Sequence, residues 1–195
     1  MRKFTQSLAL AALLLSTSAY AQNVAPAATV AAKAAKVPWL YEGSDVPVDD
    51  TWTFGVLPNG LRYAVKKNDV PAGQVSIRVR IDAGALHENN DEQGFAHLIE
   101  HLSFRGSTFV PDGEAKRIWQ RFGVTFGSDS NAQTTPTQTV YKLDLPNATP
   151  EKLDESVKII SGMIRNPRIS PSALNAERAI VLAELRENSG AQMVY

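Results

Sequence analysis

The chain has 195 residues, with 20 Lys and Arg against 20 Asp and Glu, 44% hydrophobic residues and no cysteine. That length suits one ordinary domain, the composition is globular rather than disordered, and the balanced charge leaves no nucleic-acid footprint. Without cysteine there are no thiol nucleophiles, disulfides or cysteine-ligated metal sites, so any metal must be held by histidines and carboxylates.

The chain opens with an export signal. Arg2 and Lys3 precede the apolar run Leu8–Leu15, and Ala19-Tyr20-Ala21 supplies a small-x-small cleavage pattern. The apolar run is too short to span a bilayer, which takes about 20 residues. Residues 1–21 therefore read as a signal peptide, and the expected location is the bacterial periplasm or the exterior, with no membrane attachment after cleavage. Cleavage removes Arg2 and Lys3 and no acidic residue, leaving 18 basic against 20 acidic residues. Residues 22–50 read as a flexible Ala- and Pro-rich linker with too little apolar bulk to bury a core, apart from a marginal helix at Ala31–Lys36.

From Thr51 the pattern becomes that of a folded domain, 51–195. Thr53–Leu57 and Leu61–Lys67 flank the turn signal Pro58-Asn59-Gly60 and predict a hairpin. In Gln74–Asp82, Val75, Ile77, Val79 and Ile81 alternate with polar residues, which predicts a strand with one buried face. Helices are expected at Gly94–Arg105, ending at Gly106, and at Glu114–Phe122, stopped by Gly123. Thr125–Thr134 reads as an edge strand or loop, and Thr137–Leu145 as a strand closed by Pro146. A helix runs from Pro150 to Arg165, and a last one opens with Ser170 as N-cap and Pro171 in the first turn, reaching about Asn188. Strands lead and helices follow without strict alternation, so the expected class is α+β, an antiparallel-rich sheet packed with helices.

The chemistry concentrates in His97-Leu98-Ile99-Glu100-His101. On a helix, residues i and i+4 share a face, so both imidazoles can grip one metal ion and Glu100 can reach a metal-activated water. This is the inverted H-x-x-E-H pattern, and neutral imidazole suits zinc. A catalytic zinc takes three protein ligands, so one more is required. Glu177 and Glu184 lie seven residues apart on the last helix, on a stripe with Leu174, Val181 and Leu185, where an unpaired carboxylate is costly. The spacing does not choose between them, and surface pairing with Arg178 or Arg186 is the competing reading. Glu187 reads as a surface carboxylate and His87 as an exposed loop histidine.

These residues, together with Pro58-Asn59-Gly60-Leu61, Ala83-Gly84 with Glu88, Phe104-Arg105-Gly106-Ser107, Asn131-Ala132 with Thr134, Thr139-Val140-Tyr141 and Glu177-Arg178 through Glu184, resemble the pitrilysin/insulinase family of zinc peptidases. The likeness runs from about Thr51 to Asn188 and is strongest to the secreted bacterial branch. It implies the fold of the N-terminal pitrilysin or mitochondrial-processing-peptidase-like metallohydrolase domain. It also implies one zinc per chain on His97, His101 and Glu184, with Glu100 as general base and Glu177 as a supporting residue or alternative ligand. Asn131 and Ala132 match a segment that lies along the substrate. The implied function is zinc-dependent endopeptidase action on peptides or unfolded polypeptides. The chain would carry the metal-binding half, closed by a homologous second domain or subunit. On the same comparison the 51–195 domain is incomplete at its C-terminal end, and zinc binding is a safer expectation for the isolated chain than turnover. The alternatives are a non-catalytic peptide-binding or scaffold subunit of the same fold, against which the intact motif argues, and a structural zinc domain, which would need a fourth ligand.

Overall fold

The computed structural model describes residues 38–39 and 41–188. The expected signal peptide, most of the 22–50 segment and the helix at Ala31–Lys36 lie outside the described residues. The chain divides into two compact units, one ending at Val65 and the other beginning at Lys66.

In the first unit, β1 (Trp52–Val56) turns back into β2 (Arg62–Lys66). The connection closes with a hydrogen bond from the Leu57 N–H to the Leu61 carbonyl at 2.8 Å, and Gly60 takes a φ of 87°, which suits glycine at a tight turn. Gly55 is required for a second reason: a Cβ there would run into the ring of Tyr63. Trp39 and Tyr41 pack their rings on Phe54, at centroid distances of 5.0 and 5.1 Å, and the Arg62 guanidinium lies 3.8 Å over Trp39. Ordered packing in this unit thus begins before Thr51, where composition alone shows no apolar periodicity.

The second unit contains β3 (Val75–Ile81), α1 (Phe95–Ser103), α2 (Glu114–Arg121), β4 (Ser130–Thr134), β5 (Thr139–Leu145), α3 (Pro150–Arg165) and α4 (Pro171–Asn188). The three strands form an antiparallel sheet in the order β3-β5-β4. Alternation places Val75, Ile77, Val79 and Ile81 of β3 beside Leu145, Leu143, Tyr141 and Thr139 of β5 on one face, continued by Ser130, Ala132 and Thr134 of β4. That face packs into a core with Ala115, Ile118 and Trp119 of α2 and Ile159, Ile160 and Met163 of α3. The class is α+β, with antiparallel sheets and, among the described residues, four α-helices, as the sequence predicts.

The helix ends follow local chemistry. Thr149 caps α3 by accepting from the Lys152 N–H, with Pro150 in the first turn, and the Ser170 hydroxyl accepts from the Ala173 N–H. Gly123, at φ 92°, ends α2 in a Schellman arrangement, with the Val124 N–H on the Trp119 carbonyl and the Gly123 N–H on that of Gln120. Gly106 behaves differently from the helix stop that the sequence predicts. The last residue of α1 is Ser103, and Gly106 is small because the Asp112 backbone would lie 2.9 Å from a Cβ there.

Candidate metal centre

Helix α1 begins after Gly94, at φ 92°, and has no acidic residue in its own first turn. Glu88 supplies that charge from outside the helix. Its Oε2 accepts from the Gly94 N–H at 2.8 Å and its Oε1 from the Ala96 N–H at 2.6 Å, which satisfies donors that a helix start leaves unpaired. His87 lies exposed in the 3-10 turn Ala85–His87, where its Nδ1 accepts from the Gly84 N–H at 3.2 Å. It takes no part in the cluster described next.

The four-residue spacing stacks His97 and His101 on one side of α1, with their Nε2 atoms 3.2 Å apart. Helix α4 packs against α1 and places Glu184 Oε2 at 3.4 Å from His97 Nε2 and 3.6 Å from His101 Nε2. A tetrahedral site with bonds of about 2.0–2.1 Å has ligand atoms roughly 3.3 Å apart. The three measured edges bracket that value, so His97, His101 and Glu184 fit one zinc ion with an open fourth position. They are also the described residues whose donor atoms converge closely enough to hold a metal.

The two glutamates left open by the spacing take different places. Glu184 faces the two imidazoles and is 40% exposed, whereas Glu177 is 9% exposed and sits behind His101, its Oε2 3.1 Å from Nδ1. Glu177 is held in turn by Arg105, whose Nη1 lies 3.6 Å from Oε1 while Nη2 pairs with Asp112 at 3.1 Å. A carboxylate on Nδ1 holds that nitrogen protonated and leaves Nε2 as the lone-pair donor, which orients a metal-binding imidazole. The apolar stripe on α4 is narrower than the sequence predicts. Ala173, Glu177 and Val181 are buried, but Leu185 is exposed.

Glu100 is buried, and its Oε2 accepts a 2.6 Å hydrogen bond from the Thr134 hydroxyl of β4. Close by, burial pushes the Tyr141 hydroxyl above its ordinary pKa; a hydrogen bond with Ser103 partly offsets this, and the charge of Glu100 adds to it.

Strand β4 is the sheet edge. Hydrogen bonds from the Thr135 N–H to the Gln138 carbonyl and from the Asp144 N–H to the Asp129 carbonyl turn odd-numbered residues of β4 toward β5. The backbone groups of Ala132 and Thr134 therefore face outward, where no strand pairs with them among the described residues. The exposed Asn131 covers one of these groups, its Oδ1 accepting from the Ala132 N–H at 2.9 Å. His97, Glu100, His101, Asn131, Ala132 and Glu184 line a common cleft of about 580 Å³.

The structure thus brings together every site residue expected from the sequence. The motif alone gives no sign of the partners that hold them: Thr134 on Glu100, Arg105 on Glu177 and Glu88 on the helix start. Thr134 and Arg105 meet their partners only through the fold, and Glu88 reaches the helix start from the turn that precedes it.

Residues 63–194 match the family model described as Insulinase (Peptidase family M16). The "Probable zinc protease PqqL" of Haemophilus influenzae is 36% identical over 147 residues, covering 75% of this chain and 16% of that protein. The crystal structure of the first half of the periplasmic protease PqqL from Escherichia coli superposes with a TM-score of 0.71 at 31% identity, over 75% of this chain and 31% of that one. That of pitrilysin gives a TM-score of 0.59 at 25% identity, over 71% of this chain and 14% of that one. The matched region thus spans about a sixth of the length of the first of these relatives. With the inverted motif, its distal glutamate and the fold in agreement, the chain belongs to the insulinase family of peptidases, family M16.

Proposed function

We propose that this chain carries the zinc site and general base of a zinc-dependent endopeptidase. The observation that carries the reading is the set of three donor-atom separations, 3.2, 3.4 and 3.6 Å, next to a carboxylate held by hydrogen bonding in the same cleft. His97, His101 and Glu184 would hold one zinc ion, which when bound supplies Lewis-acid polarisation of a carbonyl and acidifies water. Glu177 fixes the His101 ring and its tautomer. Glu100 accepts the proton of the attacking water and delivers it to the leaving amine, while the Thr134 hydroxyl holds one carboxylate oxygen in place. An extended peptide adds to the outward edge of β4, pairing with Ala132 after the Asn131 amide swings off its N–H.

The substrate is a peptide or unfolded polypeptide, and a homologous second domain or subunit closes the cleft. Residues 1–21 direct export, 22–50 lead into the fold, with Trp39 and Tyr41 already packed on Phe54, and 51–195 carry the metallopeptidase chemistry. The periplasmic description of the Escherichia coli relative supports that location, and no helix among the described residues is long and apolar enough to cross a membrane. Mass spectrometry of exported protein should find Gln22 at the N-terminus; a retained Met1 would sink the export reading.

Zinc content and cleavage of an unfolded polypeptide, measured in parallel on the chain together with the half that closes its cleft, test the mechanism. Glu100→Gln keeps the hydrogen bond from Thr134 but cannot take the proton, so it should retain zinc and lose about 10²–10⁴-fold in hydrolysis. Loss of zinc as complete as in His97→Ala would make Glu100 a ligand or structural residue. Full hydrolysis would place the general base elsewhere.

A further inference from the structure

We propose that Lys116, seated on the ring of Phe126, which in turn meets Phe104, forms a subsite that binds an acidic side chain of the peptide within a few residues of the cleaved bond. The proposal rests on the peptidase reading above and names the substrate class of the same cleft. All three residues line that cleft. Lys116 is half-buried on α2, its Nζ 3.9 Å over the Phe126 ring, and Phe126 meets Phe104 edge-on at 5.6 Å.

The charge inventory of the cleft singles Lys116 out. Its three carboxylates are engaged: Glu100 with Thr134, Glu177 with His101 and Arg105, and Glu184 with the two imidazoles. Arg105 is matched by Glu177 and Asp112, and its buried Nε lacks a hydrogen-bond partner. Lys116 has no carboxylate within ion-pair distance among the described residues, so its ammonium has exchanged part of its hydration for a ring face alone. An incoming carboxylate would complete it with a charge-assisted hydrogen bond.

The edge strand fixes where that carboxylate comes from. The Gly127 N–H donates to the Ser130 carbonyl at 2.8 Å, and Phe126 bridges to Ser130, so this loop occupies the sheet edge at the start of β4. The open stretch lies beyond it, at Ala132 and Thr134, with Glu100 bound at the Thr134 end. A strand rises about 3.3 Å per residue, so Ser130 and Thr134 are separated by roughly 13 Å. A peptide laid on Ala132 with its reacting bond near Glu100 therefore meets the Phe126 loop and Lys116 within a few residues of that bond. A Glu or Asp on the side facing α2 reaches the ammonium.

The test uses the zinc-loaded chain with Glu100→Gln, assembled with the second half that closes the cleft, so that peptides bind without turnover, and fluorescence anisotropy on one extended peptide with Glu, Gln or Lys scanned through its positions. At one position Glu should bind about fivefold tighter than Gln, the scale of a half-exposed ion pair, and Lys weaker than both. Lys116→Gln should erase that difference, Lys116→Glu should invert it and Lys116→Arg should restore it, each with unchanged zinc content. A series without charge preference, or a preference that survives Lys116→Gln, would overturn the subsite while leaving the peptidase reading intact. Failure of that assembled, zinc-loaded protein to bind any peptide would defeat both.

Discussion

Helices α1 and α4 each deliver donor atoms to the same point, but they do so by different physics. In α1 the two imidazoles are one turn apart, so their convergence follows from helix geometry once the helix exists. Glu88 secures its start and Leu102 buries its inner face. In α4 nothing local directs Glu184 to the histidines. Its position depends on the packing of Ala173 and Val181 and on Glu177 meeting His101. A donor pair written into one helix needs only that helix to converge; a third donor on a packed neighbour needs the packing as well.

Substitutions can set this contrast out in order of size. His97→Ala removes half of the local pair and should weaken zinc binding by more than about 100-fold, beyond the loss typical of an outer partner, as read by competition with a chelator. Glu184→Gln should come next, because a direct ligand charge is lost while the helix pair remains. Glu177→Gln should cost about 10–100-fold through disorientation of His101. A titration in which Glu177→Gln exceeds Glu184→Gln would mean the buried glutamate is the ligand. Arg105→Met should weaken zinc binding less than Glu177→Gln, and the double substitution should add nothing to Glu177→Gln alone. Additive losses would show that Arg105 acts by another route.

The smallest effect serves as the control, because it changes stability away from both helices. Burial acts to raise the Asp144 pKa, but bonds from Arg78, Ser76 and Lys142 outweigh it and hold the carboxyl at about 2, below the ordinary 3.8. A folded-state pKa below the unfolded one contributes stability that is complete above the unfolded value and disappears as pH falls through the folded one. Asp144→Asn should therefore lower stability at pH 7, and the gap from the unsubstituted chain should close between about pH 4 and pH 2, in denaturant titrations at each pH. Zinc affinity at pH 7 should be unchanged. A change there would mean that zinc losses elsewhere also report on global stability.

The same contrast explains what the sequence makes legible. The H-x-x-E-H helix, the β3 alternation, Pro150 in the first turn of α3 and the cap at Ser170 are local patterns, and each element forms where its pattern lies. Glu177 and Glu184 could not be told apart because a seven-residue spacing puts both on one face. The pair separates only through depth, one carboxylate behind the imidazole and one in front. Thr134, Arg105 and Glu88 carry no local signature, since their importance comes from contacts across 34, 72 and up to 8 positions of chain. Gly106 misleads for a related reason. A glycine after a helix suggests a left-handed stop, whereas here it makes room for the neighbouring Asp112 backbone.

An open edge that can take a peptide, as proposed for β4, is also a template on which copies of the protein could stack. Strand β4 limits that hazard by its dimensions. Of its five residues, Ser130 is taken by the Phe126–Gly127 loop, and the Ala132 N–H is occupied by the neighbouring Asn131 amide. What remains is too short to template a stable intermolecular sheet, yet a small side chain can vacate it at the cost of one weak hydrogen bond. The strand is guarded against its own kind by a removable cover, so protection from self-assembly and readiness for a visiting chain reside in the same amide.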